Sequence, residues 1–209
     1  MSMANDSGQP IKVLITCPPM LRAIDTFRAE FARRGAELTT PNVTQTLTEE
    51  ELIDLVPQFD AWIIGDDPAT ARVFTAGRAG RLRAAVKWGV GVDNVDLQGA
   101  KALGIQVANT PGMFGQEVAD VALGYLITLS RQLHVVDAGV KAGSWPKPAG
   151  QSLAGKTAAL VGFGDIGRNI ARRLLASDVK VIAYDPQFRP AAGLEAVQSA
   201  AWPDRLGEA

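Results

Sequence analysis

The sequence has one cysteine and one histidine in 209 residues. A lone Cys17 excludes an intramolecular disulfide and a cysteine-built zinc site, and without a His or Cys constellation a transition metal has no ligand set. A surplus of charge is missing too. With 21 basic against 22 acidic residues, no basic field is available to attract a nucleic-acid backbone or an anionic membrane surface. No apolar run approaches the roughly 20 residues that span a bilayer. Residues 1–10 are polar, lack the apolar core of a signal peptide and are expected to be flexible. Nucleic acid and membrane are set aside as partners, no metal is expected, and a reduced, cytoplasmic setting fits the lone thiol. Cys17 ends an apolar run, so it reads as core; the competing reading is a thiol nucleophile.

What is present is apolar: 47% of the residues, enough for a sizeable core in one or two domains. Residues 11–16 read as a buried strand stopped by Pro18-Pro19. Leu21, Ile24, Phe27 and Phe31 then recur at helical spacing up to Arg34, before Gly35. A β-like run at 36–40 follows, and Thr48-Glu49-Glu50-Glu51 is a capping box opening a helix through Val56. Strands at 61–65 and 85–88, helices at 72–83 and 97–103 and a strand at 104–108 continue the alternation. Such alternation predicts an α/β fold with parallel sheets and right-handed crossovers. Asn109-Thr110-Pro111-Gly112 breaks the pattern and is the expected domain boundary.

The second half is organised around Gly162-Phe163-Gly164-Asp165-Ile166-Gly167, entered by an apolar strand at 157–161 and left by an amphipathic helix. In a dinucleotide turn the first glycine makes the tight turn, the second admits a pyrophosphate, and the third lets helix and strand approach. The helix N-terminus adds unpaired N–H donors. A second strand at 179–184 ends at Asp185, eighteen residues beyond Gly167, where such folds place a ribose-binding acid. Beyond it only a loop and a helix-like stretch, 194–200, are legible, with no third strand.

Three further stretches remain open. Residues 89–96, Gly-Val-Gly-Val-Asp-Asn-Val-Asp, follow a strand, the edge where parallel sheets bind ligands; the plain alternative is a connection in which Asp96 caps the next helix. Gly65-Asp66-Asp67-Pro68 is a second such turn, shaping a pocket or merely reversing the chain. Residues 116–136 predict one long helix, apolar on most sides through Val118, Val121, Ala122, Leu126, Leu129 and Leu133. It is therefore buried inside a domain or in a subunit interface. A Gly- and Pro-rich loop carrying Trp145 follows at 139–153. His134, near that helix's expected end, is either an acid, base or ligand, or a residue complementing the helix dipole.

In order and spacing, Lys87-Trp88-Gly89-Val90-Gly91-Val92-Asp93-Asn94-Val95-Asp96, Asn109-Thr110-Pro111-Gly112, Val118-Ala119-Asp120, Gly143-Ser144-Trp145, the glycine turn and Tyr184-Asp185-Pro186 resemble the D-isomer-specific 2-hydroxyacid dehydrogenases. Within that family the chain is most similar to the phosphoglycerate dehydrogenase group. The resemblance implies a flavodoxin-like substrate domain over 11–108 and the first part of a Rossmann NAD-binding domain over 109–209, with the active site in a cleft between them.

By position, Lys87, Gly89, Val90 and Gly91 would bind substrate, the loop amides taking its carboxylate. Lys87 stands where many members have Arg, which keeps the charge but loses the bidentate fork. Val90, Gly162, Gly164, Asp165, Ile166, Gly167, Asp185 and Pro186 would bind NAD, Asp185 favouring NAD over NADP. The 116–136 helix and the Trp145 loop would form a homodimer. The family's catalytic Arg, Glu and His fall beyond Ala209, so no catalytic residue is assigned. The expectation is a fragment of an NAD-dependent oxidoreductase acting on the CH–OH group of a 2-hydroxy acid, inactive as this chain alone. The alternative is a truncated, catalytically silent NAD-binding and dimerisation module.

Overall fold

Residues 9–209 are described by a computed structural model in which the chain divides into two compact units, Met1–Met113 and Phe114–Ala209. Of the terminus expected to be flexible, residues 1–8 lie outside the described residues.

The first unit contains β1 (Ile11–Ile15), α1 (Pro18–Arg22), α2 (Ile24–Arg33), β2 (Ala36–Thr39), α3 (Glu49–Leu55), β3 (Ala61–Ile64), α4 (Ala71–Ala79), β4 (Ala84–Lys87), α5 (Leu97–Ala102) and β5 (Gln106–Ala108). The strands form one parallel sheet in the order β2-β1-β3-β4-β5. That is the flavodoxin-like order, reversed once at β1 and β3. Local chemistry sets the helix starts. Thr48 and Glu51 form the reciprocal capping box at α3, Thr70 caps α4 through the Val73 amide, and Asp96 caps α5 through the Gly99 amide at 2.8 Å. β1 ends at Ile15, just before the prolines read as its stop, and the prolines also begin α1, because Pro at N1 gives up an amide that has no helical partner anyway.

Side-chain alternation buries both faces of this sheet. Leu14, Trp62 and Ile64 pack with Leu52, Val56, Val73 and Phe74 on one side, and Val13 and Ile15 pack with Met20, Cys17 and Phe27 on the other. Each fully buried Val, Leu, Ile, Phe or Met among them contributes about 1.5–3 kcal/mol by leaving water.

The second unit contains α6 (Gly115–Arg131), α7 (Leu133–Lys141), β6 (Thr157–Val161), α8 (Asp165–Leu175), β7 (Lys180–Tyr184) and β8 (Gln198–Ser199). Its sheet is parallel in the order β6-β7-β8, one half of a doubly wound dinucleotide fold. Two expectations are corrected. The stretch 194–200 is not helical: Leu194 and Val197 turn inward to the core, and Gln198–Ser199 pairs with Ile182 and Ala183 as a third strand.

The single helix expected over 116–136 is two helices. Gln132 takes a left-handed conformation, φ 52° and ψ 39°, ends α6 and starts α7, which runs on to Lys141 inside what reads as loop. The amide side chain of Gln132 donates to the Ala149 carbonyl at 3.3 Å, and the Gln151 amide donates to the Ser130 carbonyl at 2.7 Å, so the following loop doubles back over the break. Only Gly115 and Ala119 of α6 are buried; Val118, Val121, Tyr125, Leu129 and Leu133 are exposed, as is Trp145. The helix is therefore not enclosed inside its own unit.

Candidate functional site

In the first unit the carboxyl ends of β3 and β4 carry the residues of interest. The Asp67 side chain is fully buried and fully bonded: it accepts from the Gly65 amide at 3.0 Å, the Leu47 amide at 2.9 Å and the Thr16 hydroxyl. Thr16 in turn accepts from the Trp62 indole at 2.9 Å. The network fixes the turn after β3, and with it the Gly65 carbonyl, which accepts from Lys87 Nζ at 2.5 Å and Asn94 Nδ2 at 3.1 Å. Lys87 Nζ also meets the Asp66 carboxylate at 2.9 Å, with the lysine side chain 7% exposed and that of Asp66 86%. The Lys87 charge is thus spent inside the protein.

The loop after β4 is set by Gly89, whose φ of 153° lies in the region that favours glycine. Its amide donates to the Thr110 hydroxyl at 3.1 Å, Thr110 returns its own amide to the Gly89 carbonyl at 3.0 Å, and Asn109 Nδ2 holds the Val90 carbonyl at 2.7 Å. The amides of Val90, Gly91 and Val92 donate to no group among the described residues. Three adjacent free N–H donors on a tethered loop can receive an anion. Of the two readings of residues 89–96, the plain one is present in the structure, since Asp96 caps α5.

Sequence reasoning missed the tether. Asn109 and Thr110 read as boundary residues, and the signal that could have found them is side chains able to bond backbone, placed just past a strand that neighbours the loop.

In the second unit the G-x-G-x-x-G turn joins β6 to α8. Gly162 has φ 90° and donates its amide to the Tyr184 carbonyl at 2.9 Å, tying the turn to β7. A methyl on Gly167 would stand 3.0 Å from the Gly162 carbonyl carbon and closer still to its oxygen, so the third glycine is required for backbone packing. A methyl on Gly164 would touch nothing within 4 Å, so the protein itself does not demand glycine there. The amides of Asp165, Ile166 and Gly167 have no acceptor among the described residues, as expected for a first helical turn.

Asp185, at the end of β7, accepts from the Phe163 amide at 2.6 Å and the Gln187 amide at 2.7 Å. These two bonds, Phe163 first, hold its carboxyl below the usual range, with Arg168 adding to the effect. The Phe163 ring stacks on Phe188, centroids 4.8 Å apart, and faces the Arg168 guanidinium at 5.6 Å. Arg168 Nε is buried without a hydrogen-bond partner among the described residues. A groove of about 380 Å³ lined by Val161, Tyr184, Asp185, Pro186 and Trp202 runs beside this acid.

Two residues are removed from consideration. Cys17 is buried in the first unit's core, where burial pushes its thiol up, unlike an activated nucleophile. His134 lies exposed in the first turn of α7, at the positive end of that helix rather than near the end of one long helix, so the dipole reading is corrected.

The profile of the D-isomer specific 2-hydroxyacid dehydrogenase catalytic domain matches residues 13–201. The chain belongs to the D-isomer specific 2-hydroxyacid dehydrogenase family. It is 38% identical over 146 residues to a hydroxypyruvate reductase of Thermotoga maritima, covering 68% of this chain and 47% of that protein. It is 34% identical over 179 residues to a D-3-phosphoglycerate dehydrogenase of Archaeoglobus fulgidus, covering 84% of this chain and 32% of the relative. The solved structure of the TT0316 protein from Thermus thermophilus superposes with a TM-score of 0.80 at 29% identity, covering 95% of this chain and 62% of that one. The chain thus spans about half or less of the curated relatives it is compared with.

In this dehydrogenase family chain, Lys87, Gly89, Val90 and Gly91 gather at the end of β4 in the first unit. Gly162, Gly164, Asp165, Ile166, Gly167, Asp185 and Pro186 gather around the ends of β6 and β7 in the second.

Proposed function

We propose that this chain carries the substrate-binding and NAD-binding parts of an oxidoreductase that interconverts a D-2-hydroxy acid and its 2-oxo acid. The observation that carries the reading is Asp185, an ionised carboxylate fixed by the amide of the turn's own Phe163 at 2.6 Å. A ribose diol needs a charged acceptor held in place, and a 2′-phosphate is repelled by one, which supports NAD over NADP. The amides of Asp165 and Ile166 would face the pyrophosphate, with Gly164 leaving room for its approach and Pro186 bordering the adenosine side. Bound nicotinamide supplies the hydride chemistry, while the protein orients and insulates it.

The residues of the first unit have a separate task. The free amides of Val90, Gly91 and Val92 would receive the substrate carboxylate, with Gly89 and its Thr110 partner holding the loop. Lys87 contributes by fixing the Gly65 carbonyl and the Asp66 carboxylate. The sole histidine, His134, is not among these groups, so the 209-residue chain is expected to bind ligands without turning them over. The exposed apolar residues of α6 and α7, with Trp145, support pairing of two copies through the second unit, and the lone buried thiol fits a reducing cytoplasm.

Isothermal titration of the 209-residue chain tests this. NAD+ should bind at least about tenfold more tightly than NADP+, the scale of a single charge-assisted hydrogen bond. Equal affinity, or binding of neither, would count against the cofactor assignment.

A further inference from the structure

An ammonium has three protons to give, and Lys87 Nζ has two acceptors among the described residues: the Gly65 carbonyl at 2.5 Å and the Asp66 carboxylate at 2.9 Å. The two partners differ in kind. The turn at Gly65 is fixed by the buried Asp67, and its carbonyl also accepts at 3.1 Å from Nδ2 of Asn94, a side chain of the β4 loop. The Asp66 side chain is 86% exposed, and the bond to Lys87 is the one hydrogen bond it makes among the described residues. A buried ammonium is thus held on one side by fixed backbone and on the other by a carboxylate free to swing into water. It also borders the loop. Beyond the glycine's chain neighbours, the one atom of the described residues within 4 Å of a methyl placed on Gly89 would be Lys87 Cε, at 3.4 Å, so the space over Gly89 opens onto the lysine.

We propose that Asp66 is a specificity-determining residue, an internal competitor whose carboxylate holds Lys87 Nζ until the carboxylate of an acid anchored on the loop amides takes its place. The proposal rests on the reading that the amides of Val90, Gly91 and Val92 receive that carboxylate. Exchange of one carboxylate for another keeps the buried cation paired throughout, and no proton moves. A lysine left buried without a counter-charge would carry the full desolvation penalty of its ammonium. Asp66 loses little on release, since its carboxylate is already hydrated. Being tethered, it is present at high local concentration, so a free anion wins only by gaining bonds elsewhere as well. The three amides supply those bonds, and an anion that does not reach them leaves the ion pair closed.

The probe is oxamate, a stable monoanion with the carboxylate and adjoining carbonyl shared by 2-oxo acids, titrated into the ¹⁵N,¹³C-labelled 209-residue chain. The amide signals of Val90, Gly91 and Val92 and the Asp66 carboxyl carbon should move along one binding curve, whereas sodium chloride at equal ionic strength should leave the carboxyl signal in place. Asp66→Ala, at an exposed position, should tighten oxamate about fivefold, the scale of one partly exposed ion pair. In a Lys87→Met background the same substitution should gain nothing, because the competitor has no cation to hold. Arg22, exposed at the end of α1 and unbonded among the described residues, is another cation an acid could use, and Arg22→Gln should leave the curve unchanged. Amides that shift while the Asp66 carboxyl stays still, a gain from Asp66→Ala that persists without Lys87, release of Asp66 by chloride, or loss of binding with Arg22→Gln overturns the proposal and leaves the carboxylate site standing. Amides that do not shift refute that site, and the proposal falls with it.

Discussion

Asp185 Oδ2 lies 2.6 Å from the amide nitrogen of Phe163, the residue between the first two glycines of the dinucleotide turn. Two elements that could move separately, the β6–α8 turn and the end of β7, are thereby locked in one geometry. The acid that would select the ribose is also the acceptor that shapes the turn.

Asp185→Ala should therefore weaken NAD+ binding by about tenfold or more and narrow the preference over NADP+, as loss of a charged hydrogen-bond acceptor does. Titration calorimetry with both dinucleotides reads this directly. Unchanged affinity for each would remove Asp185 from the site.

The pH dependence has a definite sign. Because the Phe163 and Gln187 amides depress the folded-state pKa of Asp185, its stabilising contribution is present above the unfolded value and is lost as pH falls through the folded one. NAD+ affinity should accordingly stay level from about pH 8 to pH 5 and decline only below the ordinary carboxylate range near 4. A midpoint near pH 6 would point to a different group.

The two glycines of the turn should separate by experiment. Gly167→Ala drives a methyl against the Gly162 carbonyl and should destabilise the second unit by about 1–3 kcal/mol, as overpacking does, visible as an earlier thermal transition. Gly164→Ala meets nothing within 4 Å, so the melting curve should be unchanged while dinucleotide affinity falls. A Gly164→Ala protein that binds NAD+ normally would show that no phosphate passes close to that residue.

Cys17 is 1% exposed and its thiol is pushed up by burial, so it should resist alkylation in the native chain and react only as fast as the first unit opens. Mass spectrometry after timed iodoacetamide exposure, with and without mild denaturant, measures this. Rapid native labelling would restore the nucleophile reading.

Much of the fold was legible because its signals are local. The capping box at Thr48 and Glu51, the strand periodicity at 11–16 and 157–161 and the glycine turn each lie within a few residues of sequence. What was missed depends on partners far away or on too few residues. The burial of Asp67 requires Thr16, 51 positions earlier, and nothing in Gly65-Asp66-Asp67-Pro68 announces it. β8 is two residues long in an alanine-rich stretch that reads as helix, and only pairing with β7 makes it a strand. At Gln132 the apolar period continues across the break without Gly or Pro, so a helix is the natural expectation. The backbone instead adopts a conformation that costs a non-glycine residue on the order of 1 kcal/mol, set against the bonds that Ala149 and Gln151 add.

That bend governs what can lie against the exposed side of α6 and α7. A straight helix cannot follow a surface that changes direction at one residue, so fit is decided by contour before any side chain meets its partner. For a second copy joined by a two-fold axis the demand is stricter: the surface must serve as its own mould, each elbow at Gln132 received by a matching hollow on the twin. Straightening the elbow would keep every apolar side chain and lose the contour that such a pairing would require.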